Sequence, residues 1–153
     1  MKSWNYAYRL YAMNSYASSL PHYEKAWPVL KTDGDYLTNY GKALSMASEH
    51  ERAIVVLRQA ILYYPNIVVY TALGDGYKTL DNPIEAEKSY LSACYMNPSR
   101  FYPKYLLAKL YEETNQKEKA LSIAYELIYK EAKISSNAID EIREEMKKII
   151  NKY

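Results

Sequence analysis

Apolar residues recur along this chain at helical spacing, and the pattern begins again after 33 or 34 residues. In the clearest segment, Leu73 and Tyr77 lie four positions apart, and Tyr90 and Ala93 mark a second helix face. One period earlier the chain repeats the same order of side chains, at Leu37, Tyr40, Gly41, Leu44, Ala53, Leu57, Ala60 and Pro65. The repetition predicts one pair of amphipathic helices per period.

Two further units stand in phase with these. The later unit has its apolar and small residues at Leu107, Ala108, Tyr111, Ala120, Ala124 and Leu127. The earlier unit is weaker and has them at Tyr6, Ala7, Leu10, Ser19, Tyr23 and Ala26. We therefore expect four units, at about residues 1–33, 34–66, 67–100 and 101–134.

Residues that favour turns fall at one equivalent position between the two helices of each unit. They are Asn14, Ser48, Asp81 and Asn115. Asn82, Pro83 and Glu85 read as an N-cap, a first-turn proline and a capping-box residue, so a helix is expected to begin there. Pro103 likewise suits the first turn of a helix.

Small residues recur where the two helices of a unit are expected to cross. In the first helices they are Gly41, Gly74 and Ala108, and the small residues predicted to face them are Ala53, Ala86 and Ala120. Small side chains at a crossing let two helices approach closely, so a larger residue there would overpack the seam.

The pattern changes after the fourth unit. Ser136 precedes a stretch whose apolar residues share one helix face, at Ile139, Ile142, Met146, Ile149 and Ile150. Asp140 and Glu141 near its start and Lys147 and Lys148 near its end complement the helix dipole. We expect a capping helix over about residues 137–151 that covers the apolar surface of the last repeat.

The spacings match the 34-residue tetratricopeptide pattern of a large residue, Leu-Gly, Tyr, Ala, an aromatic, Ala and Pro. The chain resembles tetratricopeptide repeat (TPR) proteins over about residues 2–131. This resemblance implies an all-α fold, a TPR-type right-handed solenoid of about four helix-turn-helix repeats with a C-terminal capping helix. It also implies a single TPR domain over residues 1–153.

Residues 96–111 and 136–146 also look like the soluble C-terminal extension of some bacterial O-antigen ligase or polymerase-like membrane proteins. That narrower resemblance implies an accessory module of a cell-envelope polysaccharide protein. Its sugar-transfer chemistry would belong to a membrane part that this sequence does not contain. Whether Met1 is the natural start, and on which side of a membrane the domain would lie, stay open.

Composition narrows the partner classes. Among 153 residues, 20 basic and 18 acidic ones are intermixed and give a net charge of +2, so we expect no nucleic-acid partner. Cys94 is the one cysteine, which makes a cytoplasmic location the default. No stretch reaches the roughly 20 apolar residues that span a bilayer, so we expect no direct membrane insertion. Tethering to the inner membrane through a missing N-terminal part stays open.

Candidate catalytic or metal-binding residues are few. His22 and His50 stand in different repeats without a second ligand at metal-binding spacing, and we expect both at the surface or in turns. Cys94 is expected to be a small buried filler. Two carboxylate pairs, Glu112-Glu113 and Glu144-Glu145, are interpreted as solvated surface. We therefore predict no enzyme activity for this domain, no metal and no cofactor.

In TPR proteins the first helix of each repeat lines a concave groove that holds a protein or peptide. Carried onto this register, the resemblance implies an aromatic groove with isolated charges. Its predicted lining is Trp4, Tyr8, Tyr11, Thr38, Asn39, Lys42, Ser45, Thr71, Asp75, Lys78, Tyr102, Tyr105, Lys109 and Glu112. Tyrosine and tryptophan are enriched at binding hot spots. The competing interpretation is that many tyrosines fill helix seams, as expected for Tyr40, Tyr77, Tyr90 and Tyr111.

Chaperone-binding members of this family hold a C-terminal carboxylate in a clamp of Lys, Asn and Arg. The corresponding positions here are Thr38, Lys42, Ala72, Tyr102 and Leu106. Only Lys42 has a suitable side chain, so we do not expect the acidic tail of a heat-shock chaperone as the ligand.

Three kinds of function follow from these observations. The leading hypothesis is a non-catalytic protein-interaction scaffold, as an O-antigen ligase-like accessory module or as a free-standing adaptor or co-chaperone. The second is a groove that binds glycan or lipid-linked sugar through its aromatic rings. The third, an enzyme, has no acid-base or metal constellation to support it. The weak first unit also leaves open a homodimer formed through the N-terminal repeat.

Overall fold

A computed structural model describes the backbone of residues 2–153 and the side chains of residues 15–153. In this part of the chain there are eight helices and no strand: α1 (Lys2–Leu30), α2 (Gly34–Met46), α3 (His50–Tyr63), α4 (Ile67–Thr79), α5 (Pro83–Met96), α6 (Phe101–Glu113), α7 (Lys117–Tyr129) and α8 (Asn137–Lys152). Short turns join α2 to α3, α4 to α5 and α6 to α7, and the members of each pair pack against each other as helix hairpins.

The three hairpins turn in the same way. Each turn has one residue with positive φ, at Ser48 (64°), Asp81 (57°) and Asn115 (59°). The N–H of the next residue donates to the carbonyl five residues earlier, as from Asn82 to Tyr77 at 2.8 Å. This Schellman arrangement satisfies carbonyls at the end of the first helix. The turns predicted at these three positions are confirmed.

Helix α1 departs from the predicted pattern. It is one continuous helix of 29 residues that runs through Asn14, so the turn predicted at that position is wrong. Pro21 and Pro28 both lie inside it. The side chains of Trp4, Tyr8 and Tyr11, which were predicted to line the groove, lie outside the described residues.

Helix contacts define an inner and an outer layer. Helix α2 contacts α4, α4 contacts α6, and α6 contacts α8. In the described part of the chain, α3 does not contact α5 and α5 does not contact α7. The first helices of the pairs are therefore closer together than the second helices. The stack curves with α2, α4, α6 and α8 on its concave side.

The core is divided along the stack. One cluster of buried residues extends from Leu20 on α1 to Leu73 on α4, and another extends from Ala86 on α5 to Ile149 on α8. Tyr77 packs against both clusters and joins them. The seam residues Tyr40, Tyr90 and Tyr111 are buried, as predicted.

The glycines of α2 and α4 mark the closest helix approaches. A Cβ atom built on Gly74 would lie 2.3 Å from the Tyr90 ring, and one built on Gly41 would lie 2.4 Å from Leu57. The prediction of a tight crossing holds, but these glycines face large side chains rather than the predicted alanines. The large residue lies one helical turn beyond Ala86 or Ala53, and those alanines are themselves fully buried.

Helix α8 covers the end of the stack. Ser136 caps it by accepting a hydrogen bond from the Ile139 N–H at 3.3 Å. Ile142, Met146 and Ile149 are buried against α7 and α6. The predicted capping helix is therefore present, with its apolar stripe facing the last repeat.

Candidate partner-binding groove

The predicted groove residues of three successive first helices meet in one cavity of about 410 Å³ on the concave side. Lys42 and Ser45 come from α2, Thr71 and Asp75 from α4, and Tyr102 from α6. Each of these helices presents the same face because the Schellman turns repeat its orientation. Residues up to 60 positions apart in sequence therefore share this cavity.

A second cavity of about 620 Å³ adjoins the first through Lys42, which lines both. It contains the predicted residues Thr38 and Asn39 and extends to the turn at Pro65 and Asn66. The Thr38 hydroxyl donates to the Gly34 carbonyl at 2.8 Å. Thr71 makes the equivalent bond to Ile67 at 3.0 Å, so the hydrogens of both hydroxyls are used within their own helices.

Sequence reasoning missed the apolar part of the first cavity. Met46, Ile67 and Val68 line it, and Met46 and Val68 are 44% and 47% exposed. Val68 and Ile67 precede Thr71 by three and four positions. The rule that side chains one helical turn apart share a face could therefore have identified them.

Two polar atoms beside this cavity have no hydrogen-bond partner among residues 15–153. They are Ser45 Oγ and His50 Nδ1, both buried, on two residues that line the cavity. Buried polar atoms without a partner are costly, and in native proteins most are satisfied by protein or water. His50 is the half-buried first residue of α3, so its predicted place at the surface or in a turn is wrong.

Asp75 connects the groove to the helix seam behind it. Its Oδ1 accepts a hydrogen bond from the hydroxyl of the fully buried Tyr90. Burial raises the pKa of the Asp75 carboxyl, and the bond from Tyr90 and the charge of Lys78 oppose that rise. Burial, together with this bond and the charge of Asp75, raises the pKa of Tyr90, so its hydroxyl stays protonated and donates.

The charged groove residues fall into two groups. Lys78 pairs with Glu113 at 3.0 Å and Lys109 pairs with Glu112 at 3.2 Å. Lys42 and Arg100, which both line the first cavity, have no carboxylate within 4.0 Å among residues 15–153. Among the cations that line the groove, Lys42 and Arg100 are therefore free to meet a partner.

Tyr102 and Tyr105 form an aromatic pair on α6. Their ring centroids lie 6.2 Å apart with an interplanar angle of 28°, and Tyr102 is 49% exposed. Tyr102 also lines a further cavity of about 610 Å³, which Tyr105 and the first half of α8 enclose. We name this cavity the α6–α8 pocket. It adds α8 to the groove, although sequence reasoning assigned that helix only a capping role.

The remaining candidates do not assemble into reactive chemistry. His22 is exposed on α1, and Cys94 is buried, with its thiol pKa raised by that burial. Within the described residues, no three His, Cys, Asp or Glu side chains stand close enough to hold a metal ion. None of the helices described is both long and apolar enough to span a bilayer.

Comparisons with known proteins agree with this architecture. Residues 1–66 match the model of the family described as YpiA-like, C-terminal tetratricopeptide repeats. No curated protein sequence matches the chain.

Several solved structures are similar to this one. MamA superposes with a TM-score of 0.73 at 17% identity, covering 91% of this chain and 86% of its own. YrrB, described as a TPR protein with an unusual peptide-binding site, gives 0.68 at 17% identity, covering 97% and 81%. The Sgt2 TPR domain from Aspergillus fumigatus gives 0.64 at 20% identity, covering 78% and 80%. At these identities the likeness shows the fold alone.

The repeat register, the three identical hairpin turns and these similarities lead to one conclusion. The predicted all-α solenoid is confirmed, while no match supports an O-antigen ligase-like parent. This chain has the fold of tetratricopeptide repeat proteins, and its residues 1–66 match a family of such repeats.

Proposed function

We propose that this chain is a non-catalytic scaffold that holds a segment of another protein in the groove formed by α2, α4 and α6. The supporting observation is the cavity shared by these three helices, which combines exposed apolar side chains with two cations that have no carboxylate partner within residues 15–153. An extended peptide would lie in this cavity. Its side chains would meet the apolar surface of Met46, Ile67 and Val68.

Polar and apolar groups in this cavity serve different purposes in recognition. The exposed Met46 and Val68 side chains provide apolar area, and methionine adapts its shape to different ligands. Lys42 and Arg100 favour a ligand with acidic groups near this point, because they outnumber Asp75, the carboxylate of the same cavity, and neither forms an ion pair within residues 15–153. A free-standing adaptor fits these properties, and YrrB and Sgt2 share its fold. The envelope-accessory role and an N-terminal homodimer remain hypotheses.

A glycan-binding groove is the second candidate, and one observation favours it. The stacked Tyr102 and Tyr105 rings, with Tyr102 half exposed, provide an aromatic platform of the kind that packs on sugar rings. Titration with oligosaccharide at millimolar concentration, followed by tyrosine fluorescence, tests this candidate. An unchanged spectrum would exclude it.

Peptide selection from a display library tests the scaffold directly. Peptides enriched on the immobilised protein are measured by fluorescence anisotropy with the parent and with Lys42→Ala and Tyr102→Ala. We expect Tyr102→Ala to weaken binding by about tenfold or more, because exposed tyrosines in a groove act as hot spots.

Tyr95→Ala is the matched control. Tyr95 is a 75% exposed tyrosine on α5, in the outer layer, so the same truncation there leaves the groove unchanged. Selected peptides that bind all three variants as tightly as the parent would show that the groove is not the binding site.

A further inference from the structure

The α6–α8 pocket differs in charge from the rest of the groove. One wall is the Tyr102–Tyr105 pair, and the opposite wall carries four carboxylates of α8: Asp140, Glu141, Glu144 and Glu145. Ala138 and Ile142 contribute its apolar surface. An aromatic wall facing an acidic one, around a volume of about 610 Å³, leaves room for a large flat side chain.

The carboxylates are not equally available. Glu144 pairs with Lys147 at 3.0 Å, and Glu145 pairs with Lys148 at 2.9 Å and lies 3.9 Å from Lys109. Asp140 and Glu141 have no cationic group within 4.0 Å among residues 15–153. The pocket therefore contains two negative charges without a counter-charge.

We infer that the α6–α8 pocket binds an arginine side chain of the partner segment, an inference that rests on the proposed peptide-binding function. A guanidinium group is planar, stacks on tyrosine rings and donates to carboxylates in pairs. Charge complementarity selects it over an acidic or neutral side chain. Its planar shape and its paired donors select it over lysine.

The two ends of the groove then have opposite preferences. Lys42 lines the first cavity on one side of Tyr102, and Asp140 and Glu141 line the α6–α8 pocket on the other. Tyr102 lines both cavities and lies at their junction. A partner segment with acidic residues followed or preceded by arginine would bind in a single direction, because reversal would place like charges together.

The experiment uses a blocked Gly-Arg-Gly-Arg-Gly peptide as the probe, with lysine and glutamate versions for comparison. Binding to the full chain is followed by NMR through the methyl signals of Ala138 and Ile142, and Ile84 on α5 serves as a distant reference. We expect the arginine peptide to shift the first two signals in a saturable, salt-sensitive manner. The lysine peptide should bind at least about threefold more weakly, and the glutamate peptide should not bind.

Two double variants separate the pocket from a general charge effect. Asp140→Asn with Glu141→Gln removes the unpaired carboxylates and should weaken the arginine peptide by about tenfold. Glu51→Gln with Glu118→Gln makes the same change in net charge on exposed positions elsewhere and should leave binding unchanged. Equal weakening by both variants, or equal affinity for arginine and lysine, would overturn the proposal.

The outcome is independent of the display experiment. Selected peptides that depend on Lys42 but are indifferent to arginine would refute the α6–α8 pocket and leave the scaffold function standing. The opposite result is also distinguishable. Specific binding of the arginine peptide, with selected peptides that are insensitive to the groove variants, would support the α6–α8 pocket and refute the scaffold function of the α2, α4 and α6 groove.

Discussion

Helix α1 and the three helix hairpins use the same residue type in opposite ways. In the hairpins, Pro83 is the first residue of α5 and Pro103 lies in the first turn of α6, where no intrahelical N–H bond is lost. In α1, Pro21 and Pro28 lie inside the helix and each removes one backbone bond. In the hairpins, the preferences of the turn, cap and proline residues agree with the helices that form. Helix α1 lacks this agreement and must be stabilised by packing against α2.

Burial shows the same contrast at equivalent positions. Ala53, Ala86 and Ala120 are fully buried in the second helices of the hairpins. The corresponding residue of the first unit, Ser19, is only half-buried, and its hydroxyl donates to the Tyr16 carbonyl of its own helix. A hairpin forms when two helix faces bury each other. Because the side of α1 that carries Ser19 is less buried, the turn preference of Asn14 is not sufficient to reverse the chain.

The largest expected effect comes from removing the interior proline of α1. Pro21→Ala restores a backbone N–H and relieves the clash with the preceding turn, so unfolding should cost up to about 3 kcal/mol more. Pro83→Ala is the control in a hairpin and should give a small change of opposite sign. Urea denaturation measures both. If Pro21→Ala destabilised the protein, α1 would not be the helix described.

The sequence predicts the hairpins better than α1, because several local signals agree in the hairpins and only one was present in α1. The hairpins were predictable to the residue, since Asp81, Asn82 and Pro83 combine a left-handed turn, an N-cap and a first-turn proline. Asn82 does accept from the Glu85 N–H at 3.3 Å, although the Glu85 carboxylate pairs with Lys88 instead of completing the capping box. At Asn14 only the weak turn preference was present, and helix continuation prevailed over it.

The groove was predicted in outline only. Helix phase places Lys42, Thr71 and Tyr102 on first helices, and the structure brings them to one cavity. The contribution of α8 depends on its contact with α6, a tertiary relation that no local pattern encodes. The pairing of Lys78 with Glu113 likewise depends on how two repeats stack. Local rules therefore identify the first helices, and packing decides which of their side chains remain free.

The tight seam of the hairpins provides the second test. Gly74→Leu places side-chain atoms where the Tyr90 ring already lies, and we expect a loss of about 1 to 3 kcal/mol in unfolding free energy. Ala26→Leu introduces the same side chain on α1 at a half-buried position and should cost far less. Thermal melts compare the two. Equal losses would mean that the α1–α2 contact is packed as tightly as a hairpin.

Tyr90→Phe removes the hydrogen bond to Asp75 and should cost about 1.5 kcal/mol at neutral pH, as expected for a bond to a charged group. Tyr23, the equivalent residue on α1, makes no hydrogen bond through its hydroxyl within residues 15–153, so Tyr23→Phe should be nearly neutral. Its ring stacks on Tyr40 with centroids 5.1 Å apart, and phenylalanine preserves that contact.

The effect of Tyr90→Phe depends on pH with a defined sign. Because the folded-state pKa of Asp75 is raised, the folded protein holds this proton more strongly than the unfolded chain. Stability therefore falls as pH rises from the ordinary carboxyl pKa to the raised value. Loss of the Tyr90 bond raises that pKa further. The difference in unfolding free energy between variant and parent should thus widen as pH increases through this window. Denaturation at a series of pH values measures it.

The smallest effects come from introducing glycine at two equivalent positions, Ser48 and Asn14. Ser48 has φ of 64°, a conformation that costs a serine energy and a glycine none, so Ser48→Gly should stabilise the protein by about 1 kcal/mol. Asn14 lies within α1, where glycine is a poor helix former, so Asn14→Gly should destabilise by roughly 0.5 kcal/mol. Denaturation should therefore show changes in unfolding free energy of opposite sign, because Ser48 lies in a hairpin turn and Asn14 lies in a helix interior. If both glycines stabilised the chain, Asn14 would form a turn, and the first unit would be a fourth hairpin.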